Sequence, residues 1–270
     1  MIGKLALRNV FRNRRRTLIT TAVIAVGVSM LLSALSYLEY VKWGMRESTI
    51  HAETGHFQVT TADYSQKEEE KILEYGIDNW QSLATKIKKD PRVKEVFPRT
   101  TFTGLISTGD KSNAVMVSAV IPGREIAMGG EYIDAAPYEH LKKQPGGVVL
   151  GTLLAKSLKV GTGDGITIMT TTAEGALNAL DLEVVATINI SMKEVNKRYA
   201  MISAGTAEAL LGSNRVERLI VGLGETDTLE AAQAGLDRSV PAGYDIKTWS
   251  EVSEIFHQVM NFFYQFIGFL

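Results

Sequence analysis

The residues that could carry out chemistry in this sequence do not form a recognisable catalytic or metal-binding motif. His51, Glu53 and His56 could each bind a metal ion, but their spacing does not match the H-E-x-x-H pattern of a metal-binding helix. The chain has no cysteine, which excludes disulfides, thiol catalysis and cysteine metal sites. No serine lies in a G-x-S-x-G motif. We therefore predict that the protein is not an enzyme and that it holds no cofactor and no metal ion.

A glycine-rich segment at residues 161–165 (GTGDG) is the best candidate for a phosphate-binding loop. Such a loop follows a strand and opens a helix, whereas this segment lies between a predicted short helix and a predicted strand. We interpret it as a turn. The sequence also contains no G-x-x-x-x-G-K-[ST] motif, so the chain does not bind ATP by that device.

Charge is distributed very unevenly along the chain. The first 38 residues contain six basic side chains and no acidic one, whereas the remainder carries 23 basic and 30 acidic side chains. Binding of nucleic acid requires a basic surface, so the composition of the main domain disfavours nucleic acid as a partner.

Residues 17–38 form an uninterrupted segment of 22 residues without a charge. As a helix this segment is roughly 33 Å long, which matches a hydrocarbon core of about 30 Å. Only a helix can satisfy its own backbone within lipid, so we predict a transmembrane helix. Small side chains along it are candidates for close packing against other helices: Ala22, Ala25, Gly27, Ser29 and Ser33.

A cleaved secretory signal is the competing interpretation of this N-terminal region. Its apolar part, however, exceeds the roughly 7–15 residues of a signal core, and no A-x-A cleavage site follows. Six basic residues precede the apolar segment and none occurs among the three residues after it. This asymmetry predicts a cytoplasmic N-terminus and a main domain outside the cytoplasm.

Residues 1–16 are predicted to form an amphipathic helix. Lys4, Arg8, Arg12 and Arg15 recur at helical spacing and would share one face. Such a face could lie on anionic membrane lipid or dock a cytoplasmic partner, and it could equally be a simple positively charged flank.

The main domain is predicted to be α+β, with two lobes. After a stalk at residues 39–54, a β-α-β pattern occupies residues 55–122 and recurs at residues 215–250, which suggests one split ferredoxin-like lobe. Residues 123–214 would form an inserted α+β lobe. In the first lobe we predict separate strands at residues 93–97, 102–108 and 114–120.

Residues 251–270 are predicted to continue as a second stalk and the start of a second transmembrane helix. Their last 15 residues lack formal charge but are shorter than the roughly 17–25 residues needed to span a bilayer. We therefore expect the helix to continue beyond residue 270. An amphipathic helix docked on the main domain is the alternative.

Several segments resemble one family of permeases. They are LALRNVFRNRRRTLIT (residues 5–20), GHFQV (residues 55–59), VVLGTLLAKSLKVGTGDGITI (residues 148–168) and LEVVATINISMKEVNKRYAMISAGTAEALLG (residues 182–212). Together they look like the ABC transporter permeases of the MacB, LolC/LolE and FtsX superfamily. The chain departs from the family where Ala186-Thr187-Ile188 replaces a Gly-Ile-Phe-like turn, and where one membrane helix and part of another stand for the family's four.

The resemblance implies a MacB-like periplasmic core domain on a protein of the bacterial inner membrane. It implies a separate cytoplasmic ABC ATPase, a second permease copy or homologue, membrane lipid, and a lipoprotein or periplasmic adaptor as partners. The function would be transmission of ATP-driven motion for lipoprotein release or for export of an amphiphilic or peptide cargo. An FtsX-like activator of a cell-wall hydrolase and a membrane-anchored sensor of a small ligand are the alternatives.

The predicted orientation can be tested with a reporter. Alkaline phosphatase, which is active only outside the cytoplasm, should be active when fused after Gly55 and inactive when fused before Met1, because the basic residues retain the N-terminus inside. Activity only in the N-terminal fusion would contradict the orientation.

Overall fold

The computed structural model describes residue 12, residues 14–66 and residues 74–268. The chain divides into two compact units. The first comprises Met1–Glu47 with Ile255–Leu270, and the second is Ser48–Glu254.

The first unit is built from helices. Helix α1 spans Arg14–Thr49, and helical conformation continues through a π-helical turn at Ile50–Thr54. Within the described residues this is the one helix that is long and apolar enough to cross a membrane, and the side chains of its apolar part are exposed. The helical conformation predicted for residues 17–38 is thus confirmed. The C-terminal helix spans Glu254–Gly268, 15 residues.

One half of the second unit is a four-stranded antiparallel sheet with two helices. The strands lie in the order β2-β8-β1-β9. Each of two β-α-β segments contributes two strands and one helix, which gives the ferredoxin-like arrangement. The elements are β1 (Phe57–Thr61), α3 (Trp80–Ile87), β2 (Val93–Ser107), β8 (Arg218–Leu223), α9 (Leu229–Ser239) and β9 (Tyr244–Thr248). Their core contains Phe57, Val96 and Leu236, each fully buried.

The other half is a closed barrel of six strands. The new strands are β3 (Ser112–Val120), β4 (Gly147–Gly151), β5 (Gly165–Thr171), β6 (Leu177–Ile188) and β7 (Tyr199–Ser203). They pair as β2-β3-β7-β4-β6-β5, and β5 pairs again with β2 to close the ring. Closure leaves no unpaired strand edge in this half.

Short helices surround the barrel and complete its core. Helices α6 (Thr152–Leu158) and α8 (Ala204–Leu211) contribute buried side chains to the same apolar cluster as the barrel strands. Helix α5 (Ala135–Lys143) covers β4 and β7 through Leu141. The remaining helices are α2 (Ala62–Gln66), α4 (Pro122–Gly129), α7 (Lys193–Asn196), α10 (Trp249–Val252) and α11, the C-terminal helix described above.

The division between the two halves differs from the predicted lobe boundary at residue 122. The strands predicted at residues 93–97 and 102–108 are one continuous strand, β2. Its first part pairs with β8 as far as Arg99, and its second part pairs with β3 from Thr100 onward. Strand β3 therefore belongs to the barrel and not to the predicted first lobe. The predicted boundary was wrong because the alternation of side chains along a strand does not reveal which neighbour the strand pairs with.

Leu154 provides a test of the barrel core. This side chain is fully buried in the barrel cluster, so Leu154→Ala should lower the free energy of unfolding by about 2–5 kcal/mol through lost burial and a residual cavity. Denaturant unfolding of the detergent-solubilised chain, followed by circular dichroism, measures the change. Leu177→Ala, at a side chain that is 77% exposed, is the matched control and should change little. Equal effects of the two substitutions would contradict the described core.

Candidate functional site

The predicted basic face lies only partly within the described residues. Lys4 and Arg8 fall outside them. Arg12 and Arg15 lie in helical conformation with exposed side chains. Their predicted contact with an ATPase or with lipid remains a prediction.

The small residues of α1 fall on two sides of the helix. At 3.6 residues per turn, Ala22, Ala25, Ser29 and Ser33 lie within an arc of about 80°, whereas Gly27 lies well outside it, about 140° from Ala22. All five positions are exposed in the described chain. Four of the five candidates therefore form one stripe that could contact another helix, and Gly27 is not part of it.

Helical conformation ends in a π-helical turn whose last residues are buried in the second unit. The amide of Gly55 donates to the carbonyl of Ile50 at 2.9 Å, which closes the wide turn. Ile50 is fully buried and Thr54 is 5% exposed. Gly55 has φ +71°, and a Cβ at this position would lie 2.5 Å from Cγ2 of Ile220. The sequence predicted that the stalk ends at residue 54, but it did not predict the π turn, a feature that is frequent at functional sites.

The two histidines beside this turn are engaged with neighbouring protein groups. Nδ1 of His51 lies 2.8 Å from the carbonyl oxygen of Met128, and the His51 ring stacks on Tyr132. Nδ1 of His56 accepts the Leu223 amide at 3.1 Å, so its Nε2 carries the proton and donates to Thr226. These contacts give both imidazoles a role in packing the turn against the domain.

A polar cavity of about 270 Å³ lies where the π turn meets both halves of the second unit; we call it the Arg99 cleft. Its wall includes side chains from the π turn, five strands and three short helices. The lining residues are Ala52, Glu53, Thr54, Gln58, Arg99, Thr101, Met116, Ser118, Val120, Glu125, Tyr138, Tyr199, Arg218 and Val252.

The central interaction of the Arg99 cleft is a buried ion pair. Nε and Nη2 of Arg99 donate to the two carboxylate oxygens of Glu125 at 3.2 and 2.6 Å, a bidentate geometry. The side chains are only 14% and 4% exposed. Burial alone lowers the pKa of Arg99, but the charge and hydrogen bonds of Glu125 outweigh it and the pKa is raised. Nη1 also donates to the main-chain carbonyl of Glu53, so Arg99 ties β2 to both α4 and the π turn.

A second buried carboxylate, Glu217, lies next to the Arg99 cleft. It accepts hydrogen bonds from the Tyr64 hydroxyl at 2.5 Å, the Thr101 amide at 2.7 Å and Nη2 of Arg218 at 2.5 Å. Nη1 of Arg218 reaches Oε1 of Gln58 on β1 at 3.2 Å. These bonds compensate the cost of burying the charge, and they join β1, β2 and β8.

Burial disfavours the ionised form of both tyrosines of the Arg99 cleft. Burial raises the pKa of Tyr138. Burial also raises the pKa of Tyr199, against the opposing effect of its hydrogen bond with Ser118. Both hydroxyls therefore stay neutral near pH 7. The cleft is suited to holding elements together by hydrogen bonds and charge.

Sequence reasoning did not identify Arg99, Glu125 or Glu217 as site residues. The Arg99 and Glu125 side chains are 26 positions apart, and Tyr64 and Glu217 are 153 positions apart. No local spacing marks such pairs, because only the tertiary fold brings them together.

A long apolar helix followed by an α+β domain of two lobes defines a membrane protein with a large domain attached to an N-terminal helix. Residues 17–239 match the family described as MacB-like periplasmic core domain. The chain belongs to this family. The resemblance noted in the sequence is thereby confirmed.

One relative of known identity is similar to part of the chain. The lipoprotein-releasing system transmembrane protein LolE of Haemophilus influenzae is 28% identical over 154 residues, which cover 56% of this chain and 35% of LolE. The chain thus matches about a third of the length of that relative.

Two solved structures are also similar. The extracellular domain of the noncanonic ABC-type transporter YknZ from Gram-positive bacteria has a TM-score of 0.47 and 10% identity, covering 71% of this chain and 99% of that domain. The periplasmic region of MacB from Actinobacillus actinomycetemcomitans has a TM-score of 0.47 and 12% identity, covering 79% and 94%.

Replacement of Arg99 tests how strongly the folded state depends on the buried ion pair. Arg99→Met leaves the carboxylate of Glu125 buried without its partner, and the free energy of unfolding should fall by about 3–5 kcal/mol. Replacing both residues, as Arg99→Met with Glu125→Met, should recover most of the loss because no isolated charge remains. Denaturant unfolding of the detergent-solubilised chain measures both.

The exposed pair of Lys197 and Glu194 is the matched control for this experiment. Lys197→Met should leave the denaturation midpoint unchanged, since exposed pairs contribute little. If Arg99→Met behaved like Lys197→Met, the buried pair would not hold the cleft together.

Proposed function

We propose that this protein is a permease subunit of an ABC transporter. Its membrane helices would pass ATP-driven motion from a separate cytoplasmic ATPase to a domain outside the cytoplasm. The observation that carries the proposal is the unbroken helical conformation from Arg14 to Thr54, which runs from an apolar, exposed segment to residues buried in the domain. Family membership and the likeness to a lipoprotein-releasing protein support it.

The contacts of the π turn within the second unit suggest how motion would spread there. Residues 50–54 are held by the Gly55–Ile50 bond, by Arg99 on the Glu53 carbonyl and by Gln58, whose amide donates to Thr54 at 3.1 Å. Arg99 lies on β2, the strand common to both halves of the domain. A displacement of the turn would therefore act on both halves through one strand.

We place the protein in the bacterial inner membrane, with the N-terminus in the cytoplasm. The basic residues before α1 support this orientation. Aromatic side chains lie toward the other end of the apolar segment: Tyr37, Tyr40 and Trp43 are 64%, 67% and 50% exposed. Aromatic residues concentrate at membrane–water interfaces, so these three would mark the outer one.

The cargo would be handled outside the bilayer centre, as in lipoprotein release or export of an amphiphilic or peptide molecule. Residues 17–38 contain no Asp, Glu, Lys, Arg or His side chain that could line a polar path through the membrane. The stripe of Ala22, Ala25, Ser29 and Ser33 would pack against another helix of this chain, or of a second permease copy or homologue. A lipoprotein or a periplasmic adaptor would be the partner of the outer domain.

The proposed contact between the N-terminal basic face and an ATPase can be tested by co-purification. Reversal of Arg8, Arg12 and Arg15 to Glu should reduce recovery of a stand-alone ABC ATPase with the tagged permease by at least about tenfold, because three attractive charges become repulsive. Quantitative immunoblotting of the eluate measures the recovery.

A matched reversal in the outer domain serves as the control. Lys86, Lys89 and Lys143 are exposed, and their change to Glu should leave ATPase recovery unaltered. Equal recovery with both triple variants would remove the docking role of the N-terminal face. Absence of any ATPase from the unaltered protein would overturn the transporter proposal itself.

A further inference from the structure

In the part of the chain that the structure describes, strand β9 forms an open edge of the sheet. Among the described strands it pairs only with β1, whereas the opposite end of the sheet is closed into the barrel. The pairing with β1 is antiparallel and regular, with Ile246 opposite Val59 and no bulge. An edge of this kind offers main-chain groups to another strand.

The hydrogen bonds flanking β9 show which residues face outward. The Ala62 amide donates to the Gly243 carbonyl, and the Trp249 amide donates to the His56 carbonyl, both at 3.0 Å. Since antiparallel bonding alternates along a strand, the odd-numbered residues from 243 to 249 face β1. The main-chain groups of Tyr244, Ile246 and Thr248 therefore point away from the sheet.

One of these outward groups is already used inside the chain. The Thr248 amide donates to the Glu251 carboxylate at 2.7 Å, which caps helix α10. The amides of Tyr244 and Ile246 and the three carbonyl groups remain directed toward the edge.

We propose that β9 pairs in antiparallel fashion with β9 of a second copy of this chain, about a twofold axis at Ile246. In this register Ile246 lies opposite Ile246 of the second copy, and Tyr244 lies opposite Thr248. The available amides and carbonyls form about four main-chain hydrogen bonds across the axis. Such an isologous contact closes on itself and yields a dimer rather than a fibre.

Side-chain charge selects this partner and this register. Asp245 falls opposite Lys247 of the second copy, and Lys247 falls opposite Asp245, in non-hydrogen-bonded pairs where side chains are closest. Opposite charges at such positions stabilise pairing and like charges oppose it. No salt bridge within 4 Å involves either residue in the described part of the chain, and the charge of Lys247 also acts on Glu251, where it helps to lower the pKa of that carboxyl. A parallel arrangement in the same register would set Asp against Asp and Lys against Lys.

A charged side chain on an edge strand commonly prevents unwanted pairing. Lys247 would oppose pairing with a strand that offers it no acidic partner. The order Asp245-Ile246-Lys247, however, makes the edge complementary in charge to a second copy of itself. This contact rests on the proposed function, because the second copy is the second permease copy of that proposal. Its test, however, requires no ATPase.

The absence of cysteine from the sequence permits a clean crosslinking test. In the full chain reconstituted in liposomes, Ile246→Cys should form a disulfide-linked dimer on mild oxidation. Directly opposed hydrogen-bonded residues have Cα atoms about 5.5 Å apart, within the range that a disulfide spans. Leu177→Cys, at an exposed position on β6, is the control and should stay monomeric. Equal crosslinking at the two positions would overturn the proposal.

Charge exchange tests the register. In the Ile246→Cys background, Asp245→Lys or Lys247→Asp alone should reduce the dimer fraction at least about fivefold by placing like charges opposite each other. The double exchange should restore it. Failure of the double exchange to restore the dimer would contradict the antiparallel register.

Ile246 packs partly against the domain core, so a second design avoids it. An equal mixture of Asp245→Cys and Lys247→Cys chains carrying different tags should give the mixed disulfide in preference to either homodimer. If no mixed disulfide forms, the β9 contact does not exist. ATPase recovery with these variants remains a separate measurement, so failure of the edge contact and failure of the permease proposal are distinguishable.

Discussion

The two halves of the second unit share one strand, β2, whose hydrogen-bonded partner changes after Arg99. Before that point β2 pairs with β8 and completes the ferredoxin-like sheet; beyond it, β2 pairs with β3 and β5 and closes the barrel. Pro98 lies opposite Leu219 immediately before the change and cannot donate to the ladder. One continuous backbone therefore serves both sheets, and Arg99 lies at the point where they meet.

The contacts of Arg99 show what the buried charged groups of this region do. Burying an isolated guanidinium or carboxylate costs several kcal/mol. The attraction within a bidentate pair roughly offsets this desolvation cost. The pair with Glu125 is therefore better understood as a device for geometry than as a source of net stability. Its further bond to the Glu53 carbonyl holds the π turn, and the neighbouring Glu217 joins β1, β2 and β8. These contacts connect the π turn to β2, the strand that both halves of the domain share.

Local patterns predicted much of this architecture. The apolar segment within α1 and the two β-α-β segments of the ferredoxin-like half were predicted, as were the short helix and the strand on either side of residues 161–165, which are α6 and β5. Each of them carries an apolar periodicity or a bounding turn of its own. Strands β4 and β7 were not recognised. The β4 sequence GVVLG is buried throughout, so it shows no alternation that would distinguish a strand from another buried segment. The separate strands predicted on either side of residues 98–101 proved to be one.

The sequence by itself determined the membrane helix, the uneven charge that predicts its orientation, the α+β class of the domain and the family. These properties follow from the composition and from patterns among residues close together in the sequence. Lipid allows an apolar segment few conformations other than a helix, and flanking basic residues set its orientation. Only the tertiary structure decided the closure of the barrel, the sharing of β2 and the meeting of Arg99 with Glu125. Such contacts join residues far apart in the chain, and they depend on which strands and helices become neighbours, a choice made by the packing of the whole domain rather than by any local pattern.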